Sequence, residues 1–405
     1  MAATTGRNNG TTKQDNLEAV KLMLYRQAPI SRAEIAAQLG LTPATITNIT
    51  ADLIARGHVL EVGEDAAAAH PRGTGRKPIL IDLNRDCYTA LGISLGRDVT
   101  RFCLCDMRGK PLASGTYEVM SDEYPVMLHQ LQGILGLIRQ EHGALWDRLL
   151  GIGLSIPAVV NSHTGQVKNH GSERLSWVNQ PLAEEISRFT GLPVRLENNV
   201  KARGNAISLF WPELLEGETT FALCHVSFGI ACPFVLGNRL FKGEDAAAGE
   251  IGKMILLPDA GGEPVSLESL SSVNAILDQC RQRMEAKEET LLHSLCPDPK
   301  ALRLSHILQA QNEGDALVCG ILERAMFYVG IALANIVDII NPHLVLLSGP
   351  IFINRQNVDT VEKTLLRHAF LPDDEALRVV WADMSEYAGA IGAAASCIDK
   401  YFLRG

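Results

Sequence analysis

The stretch at residues 31–56, SRAEIAAQLGLTPATITNITADLIAR, restricts the possible folds of this chain more than any other feature. It carries start and stop signals for two short helices joined by a tight turn. Ser31, with Glu34 three residues later, forms a capping box, and Gly40 is the residue type that ends a helix. Thr42 can cap a second helix, and the proline after it fits the first turn, where no N–H is needed.

The second of these helices has two different faces. Its apolar residues recur at spacings of three and four and form a buried stripe: Ile46, Ile49 and Leu53. The opposite face carries small and polar side chains, which can lie against the floor of the DNA major groove as in a helix-turn-helix. The residues predicted to contact DNA from this face are Ala44, Thr45, Thr47 and Asn48. Thr45 and Asn48 are the choices for base edges.

Helix caps and an apolar stripe occur in any antiparallel pair of helices, so they do not by themselves indicate DNA binding. The flanking sequence provides the additional evidence. Residues 16–27 form an amphipathic helix that completes a three-helix core. The strands HVLEVGE and GRKPILIDLN follow the second helix and are the pattern of a wing. We therefore predict a disordered tail at 1–15 and a winged helix-turn-helix at 16–83.

The tip of the predicted wing is basic. Arg72, Arg76 and Lys77 lie on a loop that can reach phosphates or a minor groove. Arg76 is the choice for the minor groove, and Arg56 or Lys77 the choice for a phosphate. The alternative is a solvated linker that carries three incidental cations.

The charge of the chain is distributed unevenly. The net charge is −9, of which residues 1–82 contribute +1 and the remainder −10. An acidic protein can bind DNA only where its basic groups are concentrated, because the phosphate interaction is local and screened by salt. This pattern indicates a small DNA reader attached to a large acidic domain.

From residue 87 onward the pattern changes to two successive cycles, each a β-meander followed by helices, and the first meander has three strands joined by turns at 96–98 and 108–110. This predicts an α/β body with two lobes and a cleft between them. Lobe 1 is expected at 84–200, completed by a closing helix at 386–402, and lobe 2 at 201–385.

Several features indicate a cytoplasmic protein without a membrane partner. No uninterrupted apolar run approaches the ~20 residues of a membrane span, and the polar N-terminus lacks a signal-peptide core. The nine cysteines include no CxxC pair and are typical of reduced, buried thiols.

A series of short motifs makes the body recognisable: LGISLG at 91–96, GIGLSIP at 151–157, Glu197-Asn198-Asn199, AAAGEIGKM at 246–254, SLESL at 266–270, NPHLVLLSG at 341–349 and GAIGAAA at 389–395. In this order and spacing the chain resembles the ROK family (repressors, open reading frames, kinases), and in particular its sugar-responsive repressors. The resemblance runs from about residue 14 to residue 400. It implies an actin/hexokinase-like (ribonuclease H-like) body that assembles as a homodimer or tetramer.

The chain departs from the family's kinases at three places. Their ATP-phosphate loop, Asp-x-Gly-Gly-Thr, is replaced by residues 94–98, SLGRD, and their glycine-rich second loop by residues 227–233, SFGIACP. The aspartate that accepts the sugar proton is replaced by Asn199, and losing such a base typically costs ~10²–10⁴-fold in rate. We therefore expect no catalytic residues, no bound ATP and no enzyme activity.

The zinc site of the family is also altered. Lys253 stands where the resemblance places a histidine ligand, and residues 258–266 contain none of the expected cysteines. Because tetrahedral Zn²⁺ needs four N, S or O ligands, we predict no metal.

Part of the sugar pocket remains. By resemblance, Asn198, Glu250 and Glu268 match residues that hydrogen-bond sugar hydroxyls, and Asn199 can both donate and accept. Lys253 replaces a sugar-contacting histidine and would favour an anionic ligand such as a sugar phosphate or sugar acid. The alternative is an internal salt bridge from Lys253 to Glu250 or Glu268, which would leave a weak or vestigial pocket.

Together these features predict a DNA-binding transcriptional repressor controlled by a carbohydrate-like effector in the interlobe cleft. Effector binding would change the spacing of two DNA readers in a dimer, whose half-sites lie ~34–36 Å apart. The alternatives are a sugar kinase with a fused DNA-binding domain and a DNA-binding protein that needs no effector.

Overall fold

The computed structural model describes residues 9–63, 78–97, 99–161, 164–168, 176–258, 262–371 and 377–405. The chain divides into two compact units. Unit 1 comprises Met1–Pro212 with Glu386–Gly405, and unit 2 comprises Glu213–Ser385.

The N-terminal part of unit 1, which we call the head, is a small helical domain with a short sheet. Its elements are α1 (Asn9–Gln27), β1 (Ile30–Ser31), α2 (Arg32–Leu39), α3 (Pro43–Ala55), β2 (Val59–Val62) and β3 (Leu80–Leu83). The predicted helix signals are confirmed: Ser31 and Glu34 make the reciprocal capping box, and Gly40 ends α2 at φ 63°. The Thr42 side chain accepts the N–H of Thr45 at the start of α3.

The sheet of the head has the strand order β1-β3-β2, with antiparallel pairing. The two predicted strands pair from Val59 with Leu83 to Val62 with Leu80. Residues 64–77, which connect them, lie outside the described residues. The core of the head includes Val20, Leu24, Ile35, Ile46, Leu53 and Ile81.

Helix α1 begins at Asn9, earlier than the predicted start at residue 16. The C-terminus of the chain contacts this part of the helix. Gln14 Nε2 donates to the carbonyl oxygens of Arg404 and Gly405 at 3.5 and 3.4 Å, and Glu18 lies 3.7 Å from the Arg404 guanidinium. These partners, 390 residues away, are invisible to a reading of local sequence.

The body of unit 1 follows the head. Its elements are β4 (Thr89–Leu95), β5 (Val99–Asp106), β6 (Pro111–Glu118), α4 (Tyr124–Glu141), α5 (Gly143–Trp146), β7 (Leu149–Ile156), β8 (Val160–Asn161), β9 (Gln166–Val167), α6 (Leu182–Thr190), β10 (Val194–Asn198) and α7 (Asn199–Phe210). The main sheet has the order β10-β7-β4-β5-β6. Strands β4, β5 and β6 form the predicted antiparallel meander, whereas β7 and β10 run parallel to β4.

Unit 2 repeats the plan. Its elements are β11 (Phe221–Val226), β12 (Ile230–Ala231), β13 (Phe234–Leu236), β14 (Arg239–Phe241), β15 (Ile255–Pro258), β16 (Pro264–Ser266), α8 (Leu267–Ser271), α9 (Val273–Glu285), α10 (Leu292–Leu295), α11 (Leu304–Asn312), α12 (Ala316–Ile340), β17 (Leu344–Ser348), α13 (Arg355–His368) and β18 (Arg378–Trp381). The main sheet has the order β14-β13-β11-β17-β18, and β12 pairs with β11. Neither α13 nor β18 is predicted from the sequence.

Helix α12 is long and apolar enough to cross a membrane by length and composition alone. Nevertheless, Leu322, Met326, Val329, Leu333 and Val337 on one side of it are buried in the core of unit 2. This is the pattern of a core helix.

The closing helix α14 (Ala388–Ile398) returns to unit 1. A Cβ on Gly92 would lie 1.8 Å from the carbonyl oxygen of Ala390, and one on Gly153 would lie 1.9 Å from that of Ala393. The helix backbone therefore rests directly on β4 and β7, and this explains why the motifs LGISLG, GIGLSIP and GAIGAAA occur together.

Helix α7 packs against α14 and belongs to unit 1, so the predicted lobe boundary at residue 200 is wrong by about one helix. Asn205 Nδ2 donates to Ser396 Oγ at 2.8 Å. A Cβ on Gly392 would lie 2.3 Å from the carbonyl oxygen of Ala202, so the two backbones are in contact.

Candidate DNA-binding and effector-binding residues

The predicted DNA-reading face lies on α3. Ala44, Thr47 and Asn48 are exposed, whereas Thr45 is half-buried. The Thr45 hydroxyl lies 2.9 Å from that of Thr42, and the Thr47 hydroxyl donates to the carbonyl oxygen of Pro43 at 2.8 Å. Within the described residues the Asn48 amide makes no hydrogen bond, so it can offer a donor and an acceptor to a base edge.

The predicted phosphate contacts are only partly described. Arg56 forms an ion pair with Asp52 at 3.0 Å, in which both side chains are more than half exposed. Such a pair typically contributes ~0.3–0.5 kcal/mol, so it does not prevent Arg56 from contacting a phosphate. Arg72, Arg76 and Lys77 lie outside the described residues.

The head is held against the body of unit 1 by a group of polar and aromatic residues, which we call the junction: Lys21, Tyr25, His58, Asp82, Arg108 and Phe402. Arg108 donates to the carbonyl oxygen of Tyr25 at 2.7 Å and forms an ion pair with Asp82. Lys21 Nζ donates to the carbonyl oxygen of Phe402 at 2.5 Å. Among the described residues, the Tyr25 hydroxyl, His58 Nδ1 and Arg108 Nε are buried without a hydrogen-bond partner.

Asn198 and Asn199 lie at the start of α7. Asn198 is 7% exposed, and its Oδ1 accepts the N–H groups of Val200 and Lys201 at 2.9 and 3.1 Å. Its Nδ2 donates to the carbonyl oxygen of Ala158 at 3.1 Å, so most of its hydrogen-bonding capacity is used in capping the helix. The half-buried Asn199 amide has no such commitment among the described residues.

Lys253 and Glu268 meet in unit 2. Lys253 Nζ lies 3.0 Å from Glu268 Oε1, and Glu268 Oε2 accepts the N–H of Ile230 at 3.2 Å. The structure therefore shows the internal salt bridge that the sequence left open. Glu250 is half-buried and immediately precedes the short helical turn Ile251–Lys253.

Two glycines allow the backbone to approach this pair. A Cβ on Gly252 would lie 2.9 Å from Glu268 Oε2, and one on Gly229 would lie 3.0 Å from the same atom. Glu268 is thus held between two backbone segments as well as by its ion pair.

The residues present do not fit a zinc site. Lys253 presents an ammonium group that donates to Glu268, and residues 258–266 provide no thiolate. The segment is paired instead as the hairpin β15–β16, in which Leu257 is opposite Val265.

The segment that replaces the second phosphate loop of the kinases uses three of its backbone donors within the protein. The N–H groups of Ser227, Ile230 and Cys232 donate to Gly229 O, Glu268 Oε2 and Gly249 O, respectively. These donors are therefore not available to an anion.

Sequence reasoning missed Arg203, which lies one turn after Asn199 on α7 and donates to its carbonyl oxygen at 3.0 Å. The spacing of four residues from a predicted ligand contact could have indicated it, because such residues share a helix face.

Comparison with known proteins agrees with the fold. The model of the ROK family matches residues 90–400. A putative xylose repressor of Caldicellulosiruptor sp. (strain Rt8B.4) is 24% identical over 401 residues, covering 96% of this chain and 97% of the relative. The DNA-binding transcriptional dual regulator NagC of Escherichia coli (strain K12) is 24% identical over 398 residues, covering 95% and 93%.

Two solved structures show the same architecture. A ROK family transcriptional regulator, a homologue of the E. coli MLC protein, has a TM-score of 0.81 and 26% identity, covering 96% of this chain and 97% of that one. A ROK family glucokinase from Streptomyces griseus, in complex with glucose and AMPPNP, has a TM-score of 0.65 and 19% identity and covers 76% of this chain and 98% of its own. The family match spans more than half of the sequence, and this chain belongs to the ROK family.

Proposed function

We propose that this protein is a cytoplasmic DNA-binding transcriptional repressor that responds to a carbohydrate-like effector and acts as a homodimer. The observation that carries the proposal is the combination of the head with a ROK body. The similarity to proteins named as repressors extends over 96% of the chain and therefore includes the head.

The head would bind DNA as a winged helix-turn-helix, with α3 in the major groove. Its capped start and exposed polar face support this placement, and the pairing of β2 with β3 supports a wing. The experiment is fluorescence anisotropy with a duplex from the protein's own promoter region. Asn48→Ala is expected to weaken binding ~5–150-fold, since a bidentate amide–adenine contact contributes ~1–3 kcal/mol. Unchanged affinity would remove α3 from the proposal.

The body would bind its effector without transferring phosphate. Asn199 cannot accept a proton as a carboxylate does, and the N–H groups of Ser227, Ile230 and Cys232 in the second loop already have acceptors within the protein. A coupled assay of ATP turnover across common hexoses tests this directly. Turnover at an enzyme-like rate would replace the proposal with a sugar kinase that carries a DNA-binding domain.

In unit 1 the effector would be contacted by Asn199, with a smaller contribution from the single N–H that Asn198 has left. For unit 2, Glu250 and Glu268 remain the contacts that the family resemblance predicts. Lys253 is paired with Glu268, so an anionic effector would compete with this carboxylate for the ammonium group. A ligand that binds only the folded protein raises its melting temperature, so a thermal-shift screen finds it. If no sugar raises the melting temperature while operator binding persists, the protein regulates without an effector.

A further inference from the structure

A polar cavity of about 220 Å³ lies in unit 2, with walls from α11, the first half of α12 and the start of α13. Six residues line it: Gln311, Cys319, Glu323, Gln356, Asn357 and Thr360. At ~30 Å³ for each water in the liquid, this volume equals that of about seven waters or of one small organic molecule. None of the six residues is a predicted effector contact.

The floor of the cavity is a buried pair of amide side chains, Gln311 and Asn357, which are 6% and 2% exposed. Gln311 Nε2 donates to Asn357 Oδ1 at 2.8 Å. Asn357 Nδ2 donates to Gln311 Oε1 at 3.3 Å and to the carbonyl oxygen of Ile351 at 2.8 Å. Among the described residues, this leaves one N–H and one lone pair of the Gln311 amide unused. The floor is therefore fixed by the fold and still offers a donor and an acceptor to an occupant.

The wall formed by α12 is negative. The Glu323 carboxylate is exposed and makes no hydrogen bond or ion pair within the described part of the chain. Cys319 Sγ donates to the carbonyl oxygen of Gln311 at 3.8 Å. Burial, followed by the charges of Asp315 and Glu323, raises the pKa of the Cys319 thiol. The thiol therefore stays protonated, and the charge of this wall comes from carboxylates.

The wall formed by α13 is neutral. The Thr360 hydroxyl donates to the carbonyl oxygen of Gln356 at 2.9 Å, so its own oxygen remains an acceptor. The Gln356 side-chain amide makes no hydrogen bond among the described residues and offers both a donor and an acceptor. The structure describes two neighbouring arginines, Arg324 and Arg355, and neither of them lines the cavity. The six lining residues therefore supply one negative charge, several neutral donors and acceptors, and no positive charge.

We propose that this cavity is a second ligand site, which binds a small protonated amine that also carries hydroxyl groups. The ammonium group pairs with Glu323, and the hydroxyls bond to the amides of Gln311 and Gln356. An apolar molecule would cover these amides without replacing their hydrogen bonds to water, which is costly. The site goes beyond the proposed function and does not depend on it.

Other charged ligands fit the lining residues less well. An anion would meet the Glu323 carboxylate with no cation to offset it. Ca²⁺ takes about six to eight oxygen ligands and is usually held by several carboxylates, of which the six lining residues supply one.

The experiment compares 2-amino-1,3-propanediol, an amine that is protonated at pH 7, with glycerol, in which a hydroxyl replaces the ammonium group. Each is titrated into the full-length protein and followed by ligand-observed NMR, which is suited to weak binding. The amine is expected to bind ~5–10-fold more tightly, because hydrogen bonds between charged groups are roughly twice as strong as neutral ones. Glu323→Gln, which keeps the shape of the side chain, should abolish that preference. Glu285→Gln, at an exposed position of α9 in the same unit, should leave it intact.

A second variant and a third probe complete the test. Thr360→Lys brings an ammonium group of the protein into the cavity and should exclude the amine. Calcium chloride at the same concentration should not displace the amine from the unchanged protein. The inference is overturned if glycerol binds as tightly as the amine, if Glu323→Gln and Thr360→Lys both bind the amine as before, if Glu285→Gln loses the preference, or if Ca²⁺ displaces the amine. Operator binding is measured separately, since none of these results bears on the repressor proposal.

Discussion

Arg108→Ala tests whether the junction fixes the head to the body of unit 1. Arg108 lies on the turn between β5 and β6, and its guanidinium reaches two elements of the head. It donates to the carbonyl oxygens of Tyr25 and Leu24 at 2.7 and 3.2 Å and forms an ion pair with Asp82. The exposed fractions of the paired Arg108 and Asp82 side chains are 18% and 24%, so water competes with these contacts only weakly.

The expected loss follows from these contacts. A hydrogen bond that involves a charged group contributes ~1.5–3 kcal/mol, and removing one partner of a fully buried ion pair costs ~3–5 kcal/mol. Because the alanine leaves space for water to hydrate Asp82 and the two carbonyls, we expect a net loss of ~2–4 kcal/mol in the free energy of unfolding. For a unit of this size, that corresponds to a fall of ~5–15 °C in the melting temperature.

Differential scanning calorimetry of the full-length protein measures this loss. The matched control is Arg188→Ala, which removes an i,i+4 pair with Glu184 whose side chains are 70% and 69% exposed. Such a pair contributes at most ~0.5 kcal/mol. If the two variants unfold within ~0.5 kcal/mol of each other, the Arg108 contacts do not hold the head, and the reasoning from burial is wrong.

Three other predictions concern the head and the closing helix. Burial, followed by the charges of Lys21 and Arg56, lowers the pKa of His58 from its ordinary value of 6.5. The unfolded chain therefore binds a proton that the folded chain does not, so the melting temperature should fall as the pH drops below 6.5. In His58→Phe this dependence of the melting temperature on pH should be absent, and the same dependence in both proteins would contradict the prediction. Gly153→Ala should destabilise unit 1 by at least ~1–3 kcal/mol in urea unfolding, because its Cβ would overlap the backbone of α14. Gly133→Ala in α4, where the Cβ meets nothing within 4 Å, should instead stabilise the protein by ~0.5–1 kcal/mol. If both substitutions change the free energy of unfolding in the same direction, the packing argument is refuted. Arg76→Ala should weaken operator binding and flatten its dependence on salt, measured by anisotropy from 50 to 200 mM salt, and an unchanged slope would exclude the wing as a phosphate contact.

Local signals in the sequence predicted much of the fold. Caps at Ser31 and Thr42 place both helices correctly, because capping depends on neighbours within three residues. The alternation and turns of β4, β5 and β6 predict the meander for the same reason.

What the sequence missed depends on distant partners. The additional first turns of α1 include Gln14, which contacts the carbonyls of Arg404 and Gly405, and the assignment of α7 to unit 1 follows from its packing on α14. The site shows the same limit. The family resemblance indicated that Lys253 would recognise an anionic ligand. Whether a side-chain cation can do so depends on whether a carboxylate of the protein already pairs with it. For Lys253 that carboxylate belongs to Glu268, 15 positions along the chain.

The position of α14 has a consequence for the synthesis of the protein. The helix that covers β4 and β7, and the Phe402 carbonyl that accepts from Lys21, are made after the head. The head therefore cannot be fixed in place until residues 388–402 have left the ribosome, since domains form as their chain emerges. A product that stops short of Glu386 would carry an intact α3 on an incomplete unit 1, and cellular proteases would be expected to remove it.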